Sequence, residues 1–231
     1  MSAVQRIPLV TLVIAGCTKD VDPAWQLDHD RVIAVRVTPD RIASGEVSEI
    51  DALLGHKGQP PTEADPDTAE VISPTSLATA LARGPTRWTV TAPIGDRLAA
   101  ARVELGLAAD APVPLRLRVR FADRGLVGLK VIWLGEHADN PVLVPITIDG
   151  VDAIAATQLV VAPGTDIPLA VDFDSTFDVN WLTSCGTMHD FDLPMATLRV
   201  EPEDPQSGSL AVVVRDERGG VSWRVWPISA Q

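Results

Sequence analysis

Period-two alternation of apolar and polar residues dominates this chain. Arg31-Val32-Ile33-Ala34-Val35-Arg36-Val37-Thr38 puts Ile33, Val35 and Val37 on one face and Arg36 and Thr38 on the other, as a half-buried strand requires. After a turn at Pro39-Asp40, Val47–Leu54 repeats the pattern with Ile50, Ala52 and Leu54. The clearest case is Leu115–Phe121, where Leu115, Leu117, Val119 and Phe121 face inward and Arg116, Arg118 and Arg120 form an outward stripe. Asp123-Arg124-Gly125 then turns the chain into Val127–Leu134, which predicts a hairpin. Arg87–Thr91 reads as a strand carrying a core tryptophan, Trp88.

Helical spacing interrupts this alternation over Arg97–Leu107, where Leu98, Ala101 and Leu105 share a face and Asp96 is placed to cap the first turn. A short helix is also expected near Ser76. Gly55–Pro74 holds four prolines and the acid run Glu63-Ala64-Asp65-Pro66-Asp67, so it reads as a long loop. Lys19–Asp30 is polar and acidic without apolar periodicity, and reads as a tether. Asn140-Pro141 opens a last apolar segment, Val142–Ile148, ending at Asp149-Gly150.

From Val151 onward the sequence predicts six short strands: 158–162, 167–173, 179–183, 196–200, 209–215 and 221–226. Pro, Gly and Asp turns separate them, the spacing of a small sandwich. In the last hairpin Val221, Trp223 and Val225 share a face, which assigns Trp223 to the core. Trp226 falls on the opposite face, toward an edge or the first domain. The expected fold class is all-β: two sandwiches, residues 31–150 and 151–231, the first elaborated by long loops and a short helix.

Three resemblances extend this reading. The pattern V-x-P-x-x-I-x-x-G-E at Val37–Glu46 resembles the opening strands of bacterial immunoglobulin-like modules, with Trp181 in the place of their core tryptophan. The start of the chain carries Arg6, then the apolar run Ile7–Ile14, too short for a membrane span but long enough for a signal-peptide core. Ile14-Ala15-Gly16-Cys17 resembles a bacterial lipobox. That implies removal of residues 1–16 as a signal peptide, acylation of Cys17, and a tether over 17–30. The other readings of this segment are an ordinary cleaved signal peptide and a buried N-terminal strand. Thr18, not aspartate, follows the cysteine. By resemblance to enteric lipoproteins, nothing there commands inner-membrane retention. The chain as a whole resembles envelope lipoproteins of large-genome Gram-negative bacteria, which implies an outer-membrane location.

Charge narrows the partners. The chain carries 19 Lys+Arg against 31 Asp+Glu, and loss of residues 1–16 removes only Arg6, leaving 18 against 31, a net of −13. Such a surface repels nucleic-acid phosphates and anionic headgroups, so membrane attachment is expected through acyl chains and nucleic acid is no partner. At 46% apolar residues the chain has material for a core and does not read as disordered. Only Cys17 and Cys185 are present, so acylation of the first leaves no internal disulfide.

Candidate chemistry is sparse. Cys185 lies four residues before His189. In an extended chain that separation is about 13 Å, so a thiolate–imidazole pair needs the turn to fold back. A small buried thiol is the simpler reading, and a disulfide to a partner is another. Asp172, Asp174, Asp178, Asp190 and Asp192 form the densest carboxylate group, as weak calcium candidates or as solvated acids without the glycine and terminal glutamate of an EF-hand. The stripe Arg116, Arg118, Arg120 suits an anionic glycan, a lipid headgroup or the acidic surface of another copy, or else pairs with acids across the sheet. The histidines at 29, 56, 137 and 189 have no zinc-ligand spacing, and no phosphate loop or nucleophile elbow occurs. No cofactor and no catalytic residue is assigned. The expected function is that of a non-catalytic structural, adhesive or protein-interaction module meeting an envelope protein or glycan. The alternative is a glycan-binding or calcium-dependent accessory lipoprotein, and a third reading is a thiol hydrolase using Cys185 and His189.

Overall fold

The computed structural model describes residues 23–143, 145–172 and 176–231. Cys17, with the lipobox and the start of the tether, lies outside them, as does Asp174. The first half forms β1 (Arg31–Thr38), β2 (Arg41–Ile42), β3 (Val47–His56), β4 (Gln59–Ala64), β5 (Thr68–Ser73), β6 (Leu81–Arg83), β7 (Trp88–Thr91), α1 (Asp96–Leu105), β8 (Val113–Phe121) and β9 (Leu126–Leu134). The second forms β10 (Ile146–Ile148), β11 (Val151–Asp152), β12 (Leu159–Val161), β13 (Asp166–Val171), β14 (Asp178–Thr183), β15 (Thr187–His189), β16 (Met195–Arg199), β17 (Ser207–Arg215) and β18 (Val221–Ala230).

These strands make two sandwiches, the expected all-β class. In the first, the sheet β1-β3-β7-β6, with β4 also on β3, faces the sheet β2-β9-β8-β5. In the second, β11-β10-β13-β16-β15 faces β12-β18-β17-β14. Leu115, Leu117, Val119 and Phe121 meet Ile50, Ala52 and Leu54 in the first core, as their alternation dictates. Trp181 lies at the centre of the second, fully buried with Leu198, Leu210 and Val212. The Val37–Glu46 motif is a crossover between sheets. Val37 ends β1 in the core, Thr38-Pro39 turns, and Ile42 re-enters the core from β2, which runs parallel to β9. Leu98 and Ala101 of α1 cover the first core, but Gly95 stands at the cap position, and Asp96 is the first helical residue.

Five expectations are corrected. Gly55–Pro74 is not a loop: β4 and β5 occupy most of it. Its prolines misled because Pro60 and Pro61 sit at an irregularity of the β3–β4 ladder, between the pairs Leu54↔Thr62 and His56↔Gln59. Edge strands tolerate proline there because no ladder N–H is needed. The domain boundary falls before 150, since β10 pairs with β11 and β13 of the second sandwich. Asp149 and Gly150 both have positive φ, 51° and 73°. They form the tight hairpin turn between β10 and β11 rather than an inter-domain link.

The described part of the tether is docked, not free. Leu27 N–H donates to Thr183 O at 2.8 Å, Thr183 N–H donates to Trp25 O at 2.9 Å, and Leu27 is buried. Finally, the two tryptophans of the last hairpin exchange roles. Trp226 is in the second core and donates Nε1–H to Ala153 O at 2.9 Å, while Trp223 faces the first sandwich. Alternation could not rank them, because both faces of β17 and β18 are buried. Leu210, Val212 and Val214 point into the second core, and Ala211 and Val213 point the other way, into a cluster with Ala34 and Leu53. A related shift affects Ile33, which an irregularity in the β1–β3 ladder moves off the Val35 face and into this same cluster.

Trp226→Ala should destabilise the fold by about 3–5 kcal/mol, the range for truncating a large core aromatic. Trp223→Phe keeps most of the apolar contact and should cost about 1 kcal/mol, the net worth of one lost hydrogen bond. Urea denaturation of both variants reads the difference, and a loss for Trp226→Ala no larger than that for Trp223→Phe would overturn the placing of Trp226 at the centre of the second core.

Candidate functional site

The most chemically dense place in the molecule is the seam between the sandwiches. Its centre is apolar: Leu27, Ala34 and Leu53 pack on Leu182, Ala211, Val213, Val221 and Trp223. Burying this surface is favourable at roughly 25 cal/mol per Å², and charged groups close it on both flanks. On one flank Arg36 donates from Nε and Nη2 to the two oxygens of Asp51 at 3.0 and 2.6 Å. Its guanidinium lies 3.8 Å over the ring of Trp223, and Trp223 Nε1–H donates to Glu63 at 2.8 Å. A bidentate pair stacked on an aromatic face holds its geometry better than a point charge does.

On the other flank the tip of the β17–β18 hairpin enters the first sandwich. Asp216 Oδ1 accepts from the N–H groups of Arg218 and Gly220 at 2.9 and 2.8 Å, which shapes the turn. A Cβ on Gly220 would stand 2.7 Å from Asp216 Oδ2 and 3.2 Å from Asp40 Oδ2, so a side chain there would have to displace both carboxylates. Arg41 Nη2 reaches Asp216 Oδ2 at 2.8 Å, Trp133 Nε1–H donates to Arg218 O at 2.9 Å, and Lys130 Nζ donates to Gly219 O. Asn140 bridges the halves, giving Nδ2–H to Val37 O at 2.7 Å and accepting Val221 N–H at 2.8 Å. Arg215 donates to Ile33 O at 3.0 Å.

Beneath this tip sits the least solvated acid among the described residues. Asp40 is 0% exposed, and its carboxylate makes ion contacts with Lys130 Nζ at 3.4 Å and Arg41 Nε at 3.5 Å. Neither oxygen has a hydrogen-bond partner among the described residues. Burial pushes the Asp40 carboxyl above the usual range, the charges of Lys130 and Arg41 pull it back, and Asp216 pushes it further up. Burial likewise lowers the Lys130 ammonium, against the attraction of Asp40. These groups act as a lock: each is held by another, and the cluster joins the β1–β2 turn and the β2–β9 edge of the first sandwich to a hairpin of the second. An open groove of about 720 Å³ runs beside it between β1, β9 and the hairpin tip, lined by Ile33, Val127, Leu129, Val131 and Arg218 among others.

The sequence-predicted candidates lie elsewhere. Cys185 is 1% exposed and packs in the second core. Its backbone N–H donates to Thr183 Oγ1 at 3.2 Å, and burial pushes its thiol up. His189 is exposed on β15, so the buried sulfur and the solvent-facing imidazole are not brought together. Asp172, Asp178, Asp190 and Asp192 are all exposed. Asp178 starts β14 opposite Arg215, and Asp190, with φ 55°, follows directly after β15. Among the described residues no group of three or more His, Cys, Asp or Glu side chains is placed to hold a metal ion. Arg116, Arg118 and Arg120 stand on the outer face of β8, where Glu70 of β5 serves Arg118 at 2.9 Å and Arg120 at 3.7 Å. Asp40, Lys130 and Asp216 were missed. One signal did exist: Lys130 occupies an inward position of β9, in phase with Gly128, Ile132 and Leu134, where alternation calls for an apolar residue.

The chain matches no protein-family model and no curated protein sequence. Solved structures give distant likenesses. The tandem immunoglobulin repeats of Dlar align over 85% of this chain and 96% of that one at 10% identity, with a TM-score of 0.31. The fibronectin(III)-like modules of Clostridium thermocellum CbhA align over 85% and 94% at 14% identity, with a TM-score of 0.25. A nucleoside hydrolase-related hypothetical protein from Saccharophagus degradans, described as associated with carbohydrate metabolism, aligns over 41% of this chain and 26% of that one. Its identity is 17% and its TM-score 0.32. The fold class therefore rests on the sheets described above, and no activity follows from these likenesses.

Two outcomes test the seam. Lys130→Met leaves the buried Asp40 with Arg41 alone and should cost about 3 kcal/mol, whereas Asp40→Leu with Lys130→Met should recover most of that loss. A double-mutant cycle by chemical denaturation measures the coupling, expected at more than about 1 kcal/mol. Separately, Cys185 in the native protein should react with a maleimide far more slowly than the same thiol in urea, and more slowly still as pH falls.

Proposed function

We propose that this chain is a non-catalytic, lipid-anchored interaction module of the bacterial cell envelope. In this reading Cys17 carries the acyl chains and the two sandwiches are held out as one body to meet another envelope protein or a glycan. The observation that carries it is the seam. Its apolar centre and interlocked charges resemble the inside of a domain more than a hinge, so the two sandwiches present fixed outer faces and edges. A ligand-closing cleft would need the seam to open, and opening it would part Asp216 from Arg41, Gly219 O from Lys130 and Trp223 from Glu63 while exposing the apolar centre. The nucleophile reading is disfavoured by the separation of the buried Cys185 from the exposed His189. The outer-membrane location follows the resemblance of Ile14-Ala15-Gly16-Cys17 to a lipobox and the polar Thr18 after it.

The test combines anchoring and capture. The wild-type chain, expressed in a Gram-negative host, should incorporate labelled palmitate and fractionate with the outer membrane. Cys17→Ser should lose both the label and the membrane association. Acylation of that variant would sink the anchor. The acylated protein crosslinked in envelopes should retain a protein or glycan in stoichiometric amount, and turnover of any thiol-reactive ester by wild type but not Cys185→Ser would replace the module reading with an enzymatic one.

A further inference from the structure

We propose that the outer face of the β8–β9 hairpin is the docking surface, and that its partner is an acidic protein segment that also carries apolar side chains. This rests on the module reading above and names the surface it would use. The face is made of two rows one strand apart. On β9, Val127, Leu129 and Val131 point outward, with Val127 at 49% and Leu129 at 68% exposure. On β8, directly across the ladder, stand Arg120, Arg118 and Arg116 in the pairs Arg120↔Val127, Arg118↔Leu129 and Arg116↔Val131. Ile72 of the neighbouring β5 adds a fourth apolar side chain. Ile72, Arg116, Leu129 and Val131 surround a shallow depression of about 180 Å³. A face that shows apolar and cationic rows side by side suits a ligand with the opposite charge and its own apolar side chain.

Charge selects the occupant. Across this face the single carboxylate of Glu70 serves both Arg118 and Arg120. Arg116 makes no ion pair among the described residues. The face therefore carries surplus positive charge on a chain whose net charge is −12. An acidic segment is repelled by most of the surface and attracted here, which confines encounter to one patch and gives orientation as well as rate. The depression gives such a segment an anchor. A leucine-sized side chain seated against Ile72, Leu129 and Val131 supplies apolar burial that charge alone does not, and carboxylates flanking it reach Arg116 and Arg118 as charge-assisted hydrogen bonds. The face ends against the open groove beside the hairpin tip, which shares Val127, Leu129 and Val131, so a longer segment has room to continue toward the second sandwich.

The experiment uses the full chain with residues 1–16 removed and Cys17→Ser, and a fluorescent peptide of sequence EDLELDE read by anisotropy. Binding is expected to weaken about tenfold in the double variant Arg116→Glu/Arg118→Glu, to weaken several-fold in Leu129→Ser, and to fall steeply with added salt. The peptide EDSESDE, equal in charge but lacking leucine, should bind no better than it does to Leu129→Ser. Melting curves within a few degrees of wild type establish that both variants are folded. Equal binding by wild type and both variants overturns the proposal. So does binding of phosphatidylglycerol vesicles, but not of peptide, through these arginines, which would make the face a lipid contact. Dimerisation of the wild type that Leu129→Ser abolishes, without peptide binding, would make it a self-association surface. If envelope crosslinking retains a partner that the arginine variant also retains, the module reading stands and this face is not its surface. If no partner is retained by either, the module reading itself falls.

Discussion

Everything in this molecule turns on the docking of one sheet between two hydrophobic environments. The β12-β18-β17-β14 sheet buries Leu210, Val212, Val214 and Trp226 in its own sandwich and Ala211, Val213 and Trp223 against the other. A sheet dry on both faces has no solvent side, so its residues must be apolar in consecutive positions, as Leu210–Val214 are. The same demand applies to β3 across the seam, where Ala52 and Leu54 face the first core and Leu53 faces the second sandwich. Separating the sandwiches would expose this apolar layer and break the polar ties that cross it, Arg41 to Asp216, Lys130 to Gly219 O and Trp223 to Glu63.

The flanking charges decide where the halves meet. Apolar packing alone is tolerant of sliding, because it is non-directional. Arg36 on Asp51 and Trp223, and the hairpin tip on Lys130, Arg41 and Trp133, set a register that only one arrangement satisfies. Such pairs add little net stability once their desolvation is counted, but a misdocked arrangement leaves buried charges unmatched and is costly. Docking of Trp25–Leu27 on Thr183 adds a third tie, and places the described start of the chain against β14 of the second sandwich. An N-terminal anchor would therefore hold both sandwiches, and not only the one that follows it in sequence.

How much was readable depended on whether a strand had a wet face. The outward arginines of β8 set the phase of that strand and of its partner β9, and in the second sandwich β12, β13, β14, β16, β17 and β18 were located to within a few residues, but the phase of β18 was not. β4 and β5 were hidden by prolines, which argue for loops except at edges and irregularities, and no local signal tells an edge from a loop. Trp223 was assigned to the core and Trp226 to an edge or the first domain, and the two places are exchanged, since a strand buried on both faces carries no phase. The Arg116–Arg120 stripe was legible because charge alternating with leucine has one interpretation. The Asp40–Lys130–Asp216 cluster was not, because its members are separated by most of the chain and only Lys130 breaks a local pattern.

Sequence alone determined the all-β class, the alternating strands, the helix over the first core, the acidic surface, and the lipobox-like start. Each of these is a local property: side-chain period, turn chemistry, summed charge, or a contiguous motif. Tertiary structure decided the rest. It set which of two buried faces belongs to which core, where one sandwich ends and the next begins, and that the supposed tether lies against both. It also gathered Asp40, Lys130 and Asp216 into one charged lock. Those outcomes depend on what packs on the second face of a sheet, and a strand's own residues show only that the face is dry, not what covers it.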